Sequence, residues 1–204
     1  NGEKTWVFNS IISGEITEDM ETLTDTCTIE LPKKVKWEGS DVVPLKRGSE
    51  IIVKVGYDEP KVRFIGFIKK VSIGNPVKLE CEDYMYELKQ IAVEKNGYKS
   101  ATLDLLIGSF LKNTGIKYKL IDDIALGNYR VTKETVAQEL EQLKKEFGLK
   151  SYFRVLNGEP ILYVGLGYPI DNRQVVDFAY GHNLMVDGYE LSFQQKEDVL
   201  LKVK

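Results

Sequence analysis

The sequence predicts a mainly β fold with an α+β insertion: a small antiparallel β-barrel, an inserted helix and hairpin module, and the opening strands of a second barrel. Three observations predict it. Residues 47–82 (RGSEIIVKVGYDEPKVRFIGFIKKVSIGNPVKLECE) read as consecutive antiparallel strands joined by tight turns. Helical periodicity is confined to the middle of the chain, and strand-like alternation returns at the end. The implied boundaries are 1–95 for the first barrel, 96–180 for the α+β module and 181–204 for the start of the second barrel.

Within residues 47–82, Ile51, Val53 and Val55 alternate with Ile52, Lys54 and Gly56 in the period-2 pattern of a half-buried strand. Residues 57–60 (YDEP) form a turn cluster, and Val62, Phe64, Ile65, Phe67, Ile68 and Val71 give the return strand. Gly74-Asn75-Pro76 then turns the chain into Val77, Leu79 and Cys81. Gly66, inside the longest apolar run, marks a bulge or a sharp bend.

Upstream, residues 5–12 (TWVFNSII) are β-rich and Ser13-Gly14 breaks them. Residues 17–25 are polar and loop-like, residues 26–31 (TCTIEL) resume alternation, and Pro32 ends that strand. Residues 33–46 form a long excursion before the barrel strands resume.

The middle of the chain is helical in period. Residues 100–115 read as a helix capped by Ser100 or Thr102 and stopped by Gly115, with Leu103, Leu106, Ile107, Phe110 and Leu111 as its apolar stripe. A strand is expected over 117–121. A second helix spans 133–147, capped by Thr132 and stopped by Gly148, with Val136, Leu140, Leu143 and Phe147 on one face and a Glu141–Lys145 pair across one turn. Residues 151–156 and 160–166 then form a hairpin around Asn157-Gly158. Strand candidates follow at 175–178, 184–193 and 199–203. Residues 11–17 (IISGEIT) and 185–192 (MVDGYELS) share an apolar pair, a polar residue, a glycine and an acidic-apolar mix, a faint internal echo.

Composition narrows the function classes. Of 204 residues, 43% are hydrophobic and 29% charged, ordinary values for a globular protein, and no run approaches the roughly 18 to 20 apolar residues of a membrane span. The net charge is −3 and the basic residues are scattered, which argues against nucleic acid as a partner even though small barrels often bind it. The two cysteines, Cys27 and Cys81, lie in strand-like runs, either as buried small hydrophobes or as a disulfide between neighbouring strands. With the single histidine, His182, in a turn, they leave too few ligands for a Cys/His metal site or a His-based triad.

Carboxylates cluster at Glu80, Glu82, Asp83 and Glu87, where a glycosidase pair would be sought. Tyr57, Tyr84, Tyr86 and Tyr189 are the candidates for a sugar-stacking face. A cell-wall glycosidase or a carbohydrate-binding module is therefore the alternative to a structural protein. No catalytic, cofactor-binding or metal-binding residue is assigned.

The order of elements also resembles a known family. Residues 24–32 (TDTCTIELP) look like the early strand of contractile-tail hub proteins, and the run from Leu45 through FIGFI resembles their strand and hairpin series. Residues 135–154 (TVAQELEQLKKEFGLKSYFR) followed by 161–166 (ILYVGL) are similar to their helix, glycine stop and hairpin. Residues 178–184 (FAYGHNL) are similar to the entry into a second barrel. The resemblance is to the phage late control D, or baseplate hub, family, to which the VgrG spike proteins of type VI secretion are related.

That resemblance implies a non-enzymatic subunit without cofactor. It would form a homotrimeric ring with two similar barrels per chain, adapting a sixfold tail tube to a threefold spike. The implied partners are tail tube and spike proteins, and the implied place is the virion tail baseplate, assembled in the host cytoplasm. Candidate subunit-interface strands carry Trp6 and Phe8 near one end and Tyr189, Leu191, Phe193 and Leu200 near the other. The chain opens on Asn1 and stops at Lys204 in mid-alternation, so a natural protein extending further, with a completed second barrel, is expected.

Overall fold

Two hydrophobic clusters organise the described residues, one inside a curled sheet and one beneath the helices. The computed structural model describes residues 5, 7–8, 10–32 and 45–167. All belong to one compact unit, Asn1–Pro169. The expected strands at 175–178, 184–193 and 199–203, and His182, lie outside the described residues.

The sheet is antiparallel and contains β1 (Ser13–Thr17), β2 (Thr26–Leu31), β3 (Glu50–Val55), β4 (Lys61–Ser72) and β5 (Val77–Asp83), in the order β1-β2-β5-β4-β3. Alternation does what the sequence predicts. Cys27, Ile29 and Leu31 face Cys81, Leu79 and Val77 in register, and with Phe64 and Ile68 they form the inner core. Ile51 and Val53 are half-buried against it while Ile52 and Lys54 point outward. Cys27 and Cys81, although directly opposed, are free thiols, which settles their alternatives in favour of buried small hydrophobes.

Curvature comes from β4. The ladder slips a register between Val53 and Lys54 and again between Ile68 and Lys70, and such irregularities bend a strand and increase its twist. Gly66 itself is not bulged, being paired with Ile51 on one side and Asp83 on the other. Its role is close approach: a Cβ there would lie 2.1 Å from the Glu82 carbonyl oxygen. The result is a mainly β, curled half-barrel. Among the described residues its edges, β1 and β3, are not paired with each other.

The first strand differs from expectation. It begins at Ser13, where the sequence suggested a break, and residues 5–12 are not strand wherever they are described. Pairing with β2 decides this. Ser13 Oγ donates to Glu30 Oε2 at 2.9 Å, Ile16 sits opposite Cys27, and Gly14 is tolerated because β1 is an edge.

After β5 comes a one-turn helix, α1 (Met85–Leu88), which the sequence reading missed. Then follow β6 (Gly97–Thr102), α2 (Leu103–Phe110), β7 (Lys117–Leu120), β8 (Ala125–Arg130), α3 (Val136–Phe147), β9 (Lys150–Leu156) and β10 (Glu159–Gly165). β6 and β8 form an antiparallel ribbon, while β10 runs parallel to β7 and antiparallel to β9. Met85, Leu88, Leu103, Leu106, Ile107, Val136, Leu140, Leu143 and Leu162, none of them exposed, make the second core.

Of the two candidate caps for α2, Thr102 is the one used; its hydroxyl accepts from the Leu105 amide at 3.2 Å. α3 starts three residues later than predicted. Thr135 and Gln138 form a reciprocal capping box, whereas the Thr132 and Lys133 amides donate to Glu139 Oε1 at 2.6 and 2.5 Å. Phe147 is 36% exposed, with its ring 6.1 Å from that of Tyr129, so the buried apolar face is built on Val136, Leu140 and Leu143. Glu141 and Lys145 form no ion pair; Lys144 instead pairs with Glu21 at 3.9 Å. The Asn157-Gly158 turn is as expected, both residues having positive φ (53° and 81°).

Candidate functional site

The two cores meet along the outer face of β4, and most of the buried polar chemistry lies there. Phe67 stacks on Tyr86 (5.5 Å between centroids) and meets Tyr84 edge-on (5.0 Å), and Tyr84 in turn lies 5.9 Å from Phe153 of β9. The Tyr84 hydroxyl donates to Glu50 Oε1 at 2.9 Å; burial, followed by that carboxylate, pushes the phenol up to about 12. Two of the four tyrosines considered for a sugar-stacking face are thus used inside the molecule. Tyr57 stands fully exposed in the β3–β4 turn, away from that stack, and Tyr189 lies outside the described residues.

The acidic cluster is likewise divided among separate tasks. Glu80 pairs loosely with Lys70 at 3.7 Å. Glu82 is held between Lys69 and Lys89, each at 2.6 Å. Burial alone would raise its carboxyl, but the two lysine hydrogen bonds outweigh burial and keep it low. Asp83 is 3% exposed: its Oδ1 accepts from the Met85 amide at 3.0 Å, and its Oδ2 has no hydrogen-bond partner. Burial, with the nearby Asp25 carboxylate second, pushes the Asp83 carboxyl up to about 8.

The connection between β1 and β2 straps the sheet to the helical half. Asp25 Oδ2 accepts from Arg154 Nη1 at 2.6 Å, and its Oδ1 accepts from the Asp19 amide at 2.9 Å. The Asp25 carbonyl takes the Asp83 amide at 3.1 Å. Glu21 is bonded by Lys150 and Leu23 packs on the second core. Further off, Glu139 is completely buried and accepts from Tyr129 Oη at 2.7 Å and from the Thr132 and Lys133 amides, which fixes the entry to α3.

A surface hollow of about 250 Å³ lies between Tyr84, the 114–117 turn, Glu159 and Pro160. Its single carboxylate, Glu159, is paired with Lys117 at 2.5 Å, so this hollow does not offer two facing acids. Among the described residues no group of three His, Cys, Asp or Glu side chains could hold a metal ion, and no helix is long and apolar enough to cross a membrane. Burial pushes the Cys27 thiol up to about 11 and Cys81 up to about 12, the reverse of an activated nucleophile.

Exposed apolar side chains lie at the rim and edges of the half-barrel and, as Leu105, Leu156 and Leu166, on the helical half. Ile52, Val55 and Tyr57 lie on or beside β3, Ile11 and Ile12 precede β1, and Ile73 caps the β4–β5 turn. Of the interface residues suggested by the sequence, Phe8 is half-buried against the inner core. Trp6, Tyr189, Leu191, Phe193 and Leu200 lie outside the described residues.

No protein-family pattern matches the chain, and no curated protein matches it in sequence. Solved structures do share its fold. The 43 kDa tail protein of prophage MuSo2 from Shewanella oneidensis superposes with a TM-score of 0.54 at 16% identity over 74% of this chain. The tail protein from Neisseria meningitidis MC58 does so with a TM-score of 0.56 at 18% identity, again over 74%. The alignments cover 48% and 46% of those two proteins, so this chain spans about half their length. The fold is therefore one found in phage and prophage tail proteins.

Proposed function

We propose that the chain is part of a structural phage or prophage tail protein, a subunit of the baseplate hub of the late control D type. In that role it forms a trimeric ring joining tail tube to spike, in a virion tail assembled in the host cytoplasm, and acts through protein interfaces without catalysis. The observation that carries this reading is the fold shared with two tail proteins across three quarters of the chain. It agrees with the independent resemblance in element order. The edges β1 and β3, with Ile52 and Val55 exposed beside one of them, are the surfaces such a role would use.

The test is the assembly state of the complete natural protein by light scattering, with electron microscopy of the particles. Closed rings of three chains that bind isolated tail tube are expected. A monomer at tens of micromolar that ignores tubes, or turnover of cell-wall glycan by the purified protein, would overturn the proposal.

A further inference from the structure

The joint between half-barrel and helical module contains a group that the assembly reading does not use. Asp83 ends β5, and its amide is bonded to the Asp25 carbonyl at the start of β2. The Asp25 side chain holds Arg154 of β9 on one oxygen and the Asp19 amide on the other. Two carboxyl groups thus share one buried corner with one guanidinium, and Arg154 is bonded to Asp25, not to Asp83. The other charges around the corner are Lys89 beyond α1, which is committed to Glu82, and Glu18 and Asp19 in the β1–β2 connection. Of these, Glu18 adds negative potential at Asp25, whereas Asp19 offsets it by donating its backbone amide. Asp83 Oδ2, in a residue 3% exposed, makes no hydrogen bond, and the favourable backbone groups of Met85 and Asp25 near the carboxyl do not offset its burial.

We propose that Asp83 and Asp25 form a proton-dependent latch between the half-barrel and the α3–hairpin module, closed while Asp83 carries a proton and loosened when it ionises. An ionised carboxylate with a bare oxygen, buried beside a second carboxylate, is unfavourable, and either a proton or an opening of the corner to water relieves it. Opening would release the three backbone donors tied to the pair, the amides of Asp19, Asp83 and Met85. The sign follows from the raised carboxyl. The folded state holds a proton that the unfolded chain loses near pH 4, so the latch's contribution to stability is complete below that point. It declines as pH rises and is gone above about 8. The device is independent of the tail reading, since it concerns only the described residues of this chain.

The experiment uses the 204-residue chain in three measurements. The first is a carbon-13 carboxyl titration of the wild type, in which Asp83 should titrate more than about two pH units above the ordinary aspartate value. The second is amide hydrogen exchange between pH 5 and pH 9. Protection factors at Asp19, Asp83 and Met85 should fall at least tenfold, while Leu140 and Leu143 in α3 hold theirs. The third compares melting of wild type with Asp83→Asn, which keeps the bond from Met85 and cannot ionise. The variant should gain on the wild type steadily from pH 5 to pH 8. An Asp83 titration in the ordinary aspartate range would overturn the proposal even if the variant fails to fold. Parallel melting profiles, or protection lost equally in α3, would overturn it as well.

Discussion

Gly66→Ala is the substitution that most directly probes how the half-barrel curls. A Cβ on Gly66 would sit 2.1 Å from the Glu82 carbonyl oxygen and 2.9 Å from Asp83 Cα, both backbone atoms that cannot rotate away. Real Cβ contacts do not fall below 3.0 Å, so β4 and β5 must separate locally by about 0.9 Å. Interstrand spacing is about 4.8 Å, and a displacement of that size breaks the ladder at Gly66–Asp83 and Phe67–Glu82. Two ladder positions left unpaired in buried surroundings, at about 1–3 kcal/mol each, put the loss at about 4 kcal/mol. At roughly 2–4 °C per kcal/mol for a domain of this size, the melting temperature should drop by about 8–16 °C. Gly97→Ala is the control: in β6, nothing lies within 4 Å of its would-be Cβ, so it should stay within about 0.5 kcal/mol of wild type. Urea and thermal denaturation followed by circular dichroism read both. A Gly66→Ala midpoint within 1 °C of wild type would refute the close-approach argument.

Three further outcomes follow from the helical half. Thr135→Ala should cost about 1 kcal/mol through loss of the capping box, while Thr132→Ala should cost almost nothing; equal shifts in urea midpoint would restore the earlier start of α3. Leu140→Asp should prevent folding by placing a charge in the second core, whereas Glu141→Ala should change stability by only a few tenths of a kcal/mol; matching melting temperatures would contradict the assigned face. Glu139→Ala strands the Tyr129 hydroxyl and two backbone amides, and should destabilise by about 3 kcal/mol or more; a chemical-denaturation loss under 1 kcal/mol would show that water replaces the carboxylate readily.

The strands of the half-barrel were legible because one face of each is buried and period 2 is then enforced residue by residue, as in Cys27, Ile29 and Leu31. The Asn157-Gly158 hairpin and the Gly148 stop were legible because their backbone angles leave few residues able to serve. Residues 5–12 misled for the opposite reason. They have strand composition, but the partner decides, and β2 pairs with Ser13–Thr17 instead. The ribbon β6–β8 left no alternating signal, since GYKSAT and ALGNYR are largely polar and their register slips between Tyr98 and Ala101. The Asp25–Arg154 link joins residues 129 positions apart, and no local pattern announces it. Asp83 did stand out in the sequence as an acid at a strand end. Its burial could be known only once α1 and the β1–β2 connection were placed over it.

The distribution of burial also constrains what the half-barrel can offer a partner. Its inner face is filled by its own side chains, from Cys27 to Phe64 and Leu79, and cannot accept a ligand without displacing them. Its outer face along β4 is taken by Tyr84 and Tyr86 on Phe67, with Ile65 only 5% exposed. The edges and the rim are left. An edge strand pairs with any extended chain unless something discriminates, and both edges carry such devices: β1 is five residues long with Glu15 exposed, and β3 carries Lys54 at a register slip. Exposed apolar neighbours such as Ile52 and Val55 favour association, while the charges and the slip reject strands of the wrong register or sign. A strand added at β3 would have to match both the bend of that edge and its charge, a stricter condition than apolar contact alone.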